Sequence, residues 1–103
     1  MKLTGKQKRF LRANANQLRP IFSVGKNGLN AMWLQEVARA VAKRELVKVS
    51  IQQSADVSPA EVKQFIEANS EIQVVQTIGK TVLLFQEASQ PNHRDISHGV
   101  FQL

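Results

Sequence analysis

Apolar residues recur along this chain with two periods, and the switches between them mark its elements. Phe10, Leu11, Ala15 and Leu18 stand at helical spacing in a segment that begins at Thr4 and runs to about Asn16. Thr4-Gly5-Lys6-Gln7 opens it as a capping box, with the Thr hydroxyl taking the Gln7 N–H and the Gln7 side chain reaching back. Arg19-Pro20 then forces extended backbone, and Ile21-Phe22-Ser23-Val24 reads as a short strand. From Ala31 to Arg44, Leu34, Val37, Ala38 and Val41 repeat at i, i+3, i+4 and i+7, the stripe of an amphipathic helix. Asn30 is its expected N-cap. Leu29 and Leu34 form a hydrophobic staple, and Lys43 and Arg44 suit its C-terminus.

Glu45-Leu46-Val47-Lys48-Val49-Ser50-Ile51 is apolar on both faces and predicts a largely covered, central strand. Ser58-Pro59-Ala60-Glu61 is a second capping box, with Val57 and Val62 as its staple and Val62, Phe65 and Ile66 as the buried face. Strands from Ile72 to Ile78 and from Thr81 to Phe85 flank a two-residue Gly79-Lys80 turn, with glycine where a type II′ hairpin needs it. The order αβαβαββ predicts an α/β domain with a mixed four-stranded sheet covered by helices, its βαβ units joined by right-handed crossovers. The domain spans residues 1–86. The polar stretch from Glu87 to Leu103, with Pro91, Asn92 and Gly99, lacks periodicity and reads as a flexible C-terminal extension of residues 87–103. Its Val100-Phe101-Gln102-Leu103 end could dock on the domain or on a partner.

Composition adds little until charge is mapped. The 103 residues suit one domain, and the absence of cysteine removes disulfides and Cys-based metal sites. No apolar run approaches the ~20 residues of a membrane span, and no apolar stretch follows the basic N-terminus as in a secretory signal. A cytoplasmic protein is expected. Residues 1–50 hold eleven Lys/Arg and two acids, whereas residues 51–103 hold three and six. Such asymmetry predicts a one-sided basic surface facing nucleic acid. In the first helix Lys2 with Lys6, and Lys8 with Arg12, are like charges at i,i+4. Each pair costs an isolated helix roughly a few tenths of a kcal/mol, so an anionic partner accounts for them better than stability does. A membrane-surface helix would need an exposed apolar face that the core requires instead.

The stretch that concentrates the chemistry is Val24-Gly25-Lys26-Asn27-Gly28-Leu29-Asn30, on a strand-to-helix turn. Glycines let the backbone approach a ligand and take φ > 0. Successive N–H groups there make an anion nest, to which the helix dipole adds. The plain alternative is a βα turn whose glycines serve geometry. Gly79-Lys80-Thr81 resembles the end of a phosphate-binding P-loop, but Val74 stands where that motif needs glycine and a strand follows. His93 and His98 lack metal-site spacing and companions. Trp33 either stacks on a base or packs into the core. No clustered carboxylates or nucleophile–base pair point to an enzyme, and neither a cofactor nor a small-molecule substrate is expected.

Four stretches in order resemble the CRM domain family, most closely its stand-alone bacterial YhbY-type members. They are Leu3-Thr4-Gly5-Lys6-Gln7-Lys8, Val24-Gly25-Lys26-Asn27-Gly28-Leu29, Glu45-Leu46-Val47-Lys48-Val49 and Ile78-Gly79-Lys80-Thr81. The resemblance implies a fold similar to the C-terminal domain of bacterial translation initiation factor three. It implies RNA binding through the GxxG loop, here Gly25, Lys26, Asn27 and Gly28, and through neighbouring basic residues. For bacterial members it implies association with precursors of the large ribosomal subunit.

The expected mechanism is binding without catalysis. The loop grips the RNA phosphate path, as KH-type GxxG loops do. Lys6, Lys8, Arg9, Arg12 and Arg19 neutralise flanking phosphates if the first helix packs beside the loop. Rival readings are a duplex-DNA module, a general RNA binder without a ribosomal role, and a protein-only adaptor.

Overall fold

Both capping boxes close as the side-chain chemistry requires. The Thr4 hydroxyl accepts the Gln7 N–H at 3.2 Å, and Gln7 Oε1 accepts the Thr4 N–H at 2.9 Å. Ser58 and Glu61 repeat the exchange at 3.1 and 3.0 Å. These boxes start helix α1 (Gly5–Ala15) and helix α3 (Pro59–Asn69) in a computed structural model that describes residues 3–103. Lys2, a member of one like-charge pair, lies outside the described residues. Helix α2 (Ala31–Arg44) starts where Asn30 Oδ1 accepts the Trp33 N–H at 2.9 Å.

The sheet contains β1 (Phe22–Val24), β2 (Leu46–Ile51), β3 (Gln73–Ile78) and β4 (Thr81–Phe85), in the order β1-β2-β4-β3. β1 runs parallel to β2, while β4 runs antiparallel to both of its neighbours. The α3 crossover therefore carries the chain two positions across, and the hairpin returns β4 into the gap between β2 and β3. The β3–β4 register shifts between Val74 and Gln76, a bulge that leaves Val75 without a partner on β4.

Alternation along the central strands makes two cores. Val47, Val49, Val82 and Leu84 meet Leu34, Val37 and Val41 of α2 and Val62 and Ile66 of α3. On the opposite face Leu46, Leu83 and Phe85 meet Leu11 and Ala15 of α1. A central strand apolar on both faces is what this double burial demands. Leu18, expected on the α1 stripe, is instead exposed, because the helix ends at Ala15.

The C-terminal segment differs from the flexible extension expected of its polar composition. It forms a 3-10 turn (Pro91–His93) and a short helix α4 (Asp95–Val100). Contacts with the rest of the chain hold it. Val100 is fully buried beside Leu11 and Phe85. Gly99 abuts the Phe10 ring so closely that an added Cβ would lie 2.6 Å from Cζ. The Glu45 carboxylate, 1% exposed, accepts the Ala88 N–H at 2.7 Å and the Ser97 N–H at 3.0 Å. Glu45 caps α2 in left-handed backbone, φ +66°, which turns its side chain inward instead of starting the strand.

Candidate nucleic-acid interface

The Gly25–Gly28 loop is a closed turn. The Gly28 N–H donates to the Gly25 carbonyl at 3.0 Å, and Gly28 takes φ +70°, a conformation that costs a side-chain-bearing residue about 1–2 kcal/mol. The sequence-based nest is thereby reduced by one donor, since the Gly28 N–H is spent inside the loop. Lys26 and Asn27 are exposed at the tip, and among the described residues their N–H groups have no acceptor within the chain. The start of α2 lies three residues beyond Gly28, so the positive end of its dipole adds to the site.

Neighbouring residues hold the loop rigid. The Gln52 N–H donates to the Val24 carbonyl at 2.9 Å, and its side-chain Nε2 donates to Ser23 Oγ at 3.0 Å. A Cβ at Gly25 would lie 3.1 Å from Gln52 Oε1, so glycine there permits a close brace. The Trp33 indole N–H donates to the Ser23 carbonyl at 3.0 Å while its ring packs half-buried against the α2–α3 core. Trp33 is thus a brace of the edge strand, and it also lines the cavity beside the loop.

Sheet register decides what else is near. Val24 pairs with Ile51, and Ser50 pairs with Thr81. The Ile51 N–H donates to the Lys80 carbonyl at 2.7 Å. The loop after β1, the polar connection after β2 and the Gly79-Lys80 hairpin tip therefore occupy one end of the sheet. With strands ~4.8 Å apart, the ends of β1 and β4 lie about 10 Å from each other. Lys80 and Gln52 are the residues that sequence reasoning left out of the site. Only strand order connects them to the loop, and the sole local signal was a lysine at a hairpin tip.

The basic residues of α1 are not beside the loop, because α1 packs on the sheet face opposite α2. Arg12 shares a small cleft with Lys48, Gln76, Ile78 and Thr81, toward the loop end. Lys48 also donates from Nζ to the Leu18 carbonyl at 3.1 Å, a link the sequence did not reveal. Arg19 is exposed on the connection entering β1. Lys6 and Arg9 are exposed and Lys8 is half-buried. The adjoining Gln7 side chain bonds the Val100 carbonyl at 3.4 Å, so Lys6 sits at the tail end of the sheet. A cavity of about 630 Å³ also lies at that end, where Glu67, Glu71 and Glu87 outnumber the Arg94 that lines it with them. Among the described residues no cluster of His, Asp or Glu is suited to hold a metal. Among them, too, no helix is long and apolar enough to cross a membrane.

Known proteins give this arrangement a context. The family model of the CRS1/YhbY (CRM) domain matches residues 3–86. The "Probable RNA-binding protein YqeI" of Bacillus subtilis is 46% identical over 88 residues, covering 85% of this chain and 92% of that protein. An "RNA-binding protein" of Haemophilus influenzae is 31% identical over 88 residues, covering 85% and 89% respectively. The solution structure of the Staphylococcus aureus protein SAV1595 superposes with a TM-score of 0.66 at 34% identity, covering 87% of this chain and 94% of that one. The α/β fold with its mixed four-stranded sheet is shared with that structure. The chain belongs to the CRS1/YhbY (CRM) domain family.

Proposed function

We propose that the protein is an RNA-binding module without catalysis. It grips the phosphate backbone at Gly25, Lys26, Asn27 and Gly28, with Lys80, Arg12 and Arg19 neutralising phosphates on either side. Its proposed target is ribosomal RNA in cytoplasmic precursors of the large ribosomal subunit, whose assembly it assists. One observation carries the RNA reading. The closed turn leaves two adjacent backbone N–H groups and a lysine facing outward at the start of a helix. Donors so placed suit an anion. The names of the relatives support RNA as the polyanion, and the family resemblance supports the ribosomal target.

Because phosphate contacts dominate, affinity falls with salt by about 0.7 to 0.9 log units per tenfold rise in salt for each contacted phosphate. The decisive measurement is sedimentation of the protein through a sucrose gradient of lysate beside its Gly28→Asp variant, after circular dichroism has shown that the variant folds. Wild type moving with large-subunit particles and the variant remaining at the top is the expected result. Both remaining at the top at low salt overturns the ribosomal target. Titration of purified protein with a structured RNA and with duplex DNA at one salt concentration isolates the RNA reading, and tighter binding to RNA is expected. Equal affinity overturns RNA preference in favour of a general nucleic-acid module.

A further inference from the structure

A carboxylate stands where the phosphate reading has no use for one. Of the two acids in residues 1–50, Glu45 is buried against the tail. Glu36 is therefore the exposed acid of the basic half. It makes no ion pair or hydrogen bond among the described residues. It lines a cavity of about 320 Å³ beside the phosphate loop, together with Lys26, Asn27, Met32 and Trp33. Met32 is 72% exposed on the rim of that cavity, its side chain open to a ligand. The indole of Trp33 is fixed in place by its bond to the Ser23 carbonyl.

We propose that this cavity takes one nucleobase of the strand whose phosphates the loop grips, and that it selects bases with an exocyclic amino group over uracil. The inference rests on the RNA reading above. Helical spacing puts Met32 and Glu36, four residues apart, on one face of α2. Met32 and Trp33 supply apolar contact to the base plane, as side chains do for unstacked bases of single-stranded RNA. Glu36, an acceptor only, takes an N–H of the base edge. Cytosine offers its N4 amino group, adenine its N6 amino group and guanine its N2 amino group. Uracil offers a ring N–H flanked by two carbonyl oxygens, which face the carboxylate unfavourably. A negative charge thus weakens phosphate attraction slightly while giving the site a base preference.

The test uses the intact protein and short oligocytidylate and oligouridylate of equal length at one salt concentration. Binding is read by anisotropy of the labelled strand and by fluorescence of Trp33, the sole tryptophan. Oligocytidylate is expected to bind roughly tenfold more tightly and to change Trp33 emission at saturation. Glu36→Gln is expected to bring the ratio of the two affinities close to one, by weakening oligocytidylate binding and strengthening oligouridylate binding. Met32→Ser, at an exposed position, is expected to weaken both several-fold with an unchanged salt slope. Equal wild-type affinities with unchanged Trp33 emission overturn the base site, while sensitivity of that binding to Gly28→Asp keeps the phosphate reading standing. A Glu36→Gln variant that raises both affinities with an unaltered ratio also overturns it. Absence of binding to either strand at low salt takes down both readings.

Discussion

The two ends of the sheet spend their polar groups in opposite ways. At the tail end the Glu45 carboxylate is 1% exposed and saturated by two backbone N–H groups from a segment more than forty residues later. At the loop end the Lys26 and Asn27 N–H groups face solvent among exposed lysines. Charge is not divided in this way: Glu67, Glu71 and Glu87 share the cavity at the first end with Arg94, and Lys43 and Arg44 close α2 there, while Lys26 and Lys80 stand at the second. A polar group whose partner lies within the chain contributes stability. One whose partner must come from outside contributes binding, and the fold forgoes that interaction until the partner arrives.

The sharpest way to break this division is Glu45→Leu. It leaves the Ala88 and Ser97 N–H groups without their acceptor, and we expect a loss of about 3 kcal/mol, with residues 87–103 becoming sensitive to protease. Urea unfolding and limited proteolysis read it. An unchanged midpoint would remove the carboxylate from the stability side of the comparison. Gly99→Val drives new atoms into the Phe10 ring and should cost about 2 kcal/mol, again in urea, with RNA affinity per folded molecule preserved. Gly28→Ala meets no steric contact but keeps φ +70°, so thermal unfolding should show a loss of about 1 kcal/mol. Lys26→Ala and Lys80→Ala should leave stability unmoved while each reduces the magnitude of the salt slope by about 0.7. Lys6→Ala, at the tail end, should change that slope less than either. A larger effect of Lys6 than of Lys80 would relocate the RNA path onto α1.

Local chemistry makes several elements legible in the amino-acid sequence. Thr4 with Gln7, Ser58 with Glu61 and Asn30 with Trp33 lie within three residues of their partners, so their caps depend on little beyond the adjacent chain. The valines and leucines of β2 mark a doubly covered strand for the same reason: alternation and burial are read from consecutive positions. Two glycines mark the geometry of the Gly25–Gly28 loop. What that loop faces is not legible. Lys80 reaches its end of the sheet only because β4 inserts between β2 and β3. Arg12 stays on the other face only because Leu11 and Ala15 are buried against Leu83 and Phe85.

The tail gives the strongest contrast. Its polar composition suggests a chain unable to repay the entropy of ordering. Its order comes from Glu45, Phe10 and Phe85, residues of the preceding domain. The sequence alone determined where the helices and strands before residue 87 begin, most of the faces they bury and where the Gly25–Gly28 loop lies, because those properties arise between neighbours a few residues apart. Tertiary structure decided which cations share the loop's end of the sheet, that Trp33 braces an edge strand, and that a carboxylate at the end of α2 closes over the C-terminus. Those outcomes depend on strand order and on contacts between residues distant in the chain, and no local pattern encodes them.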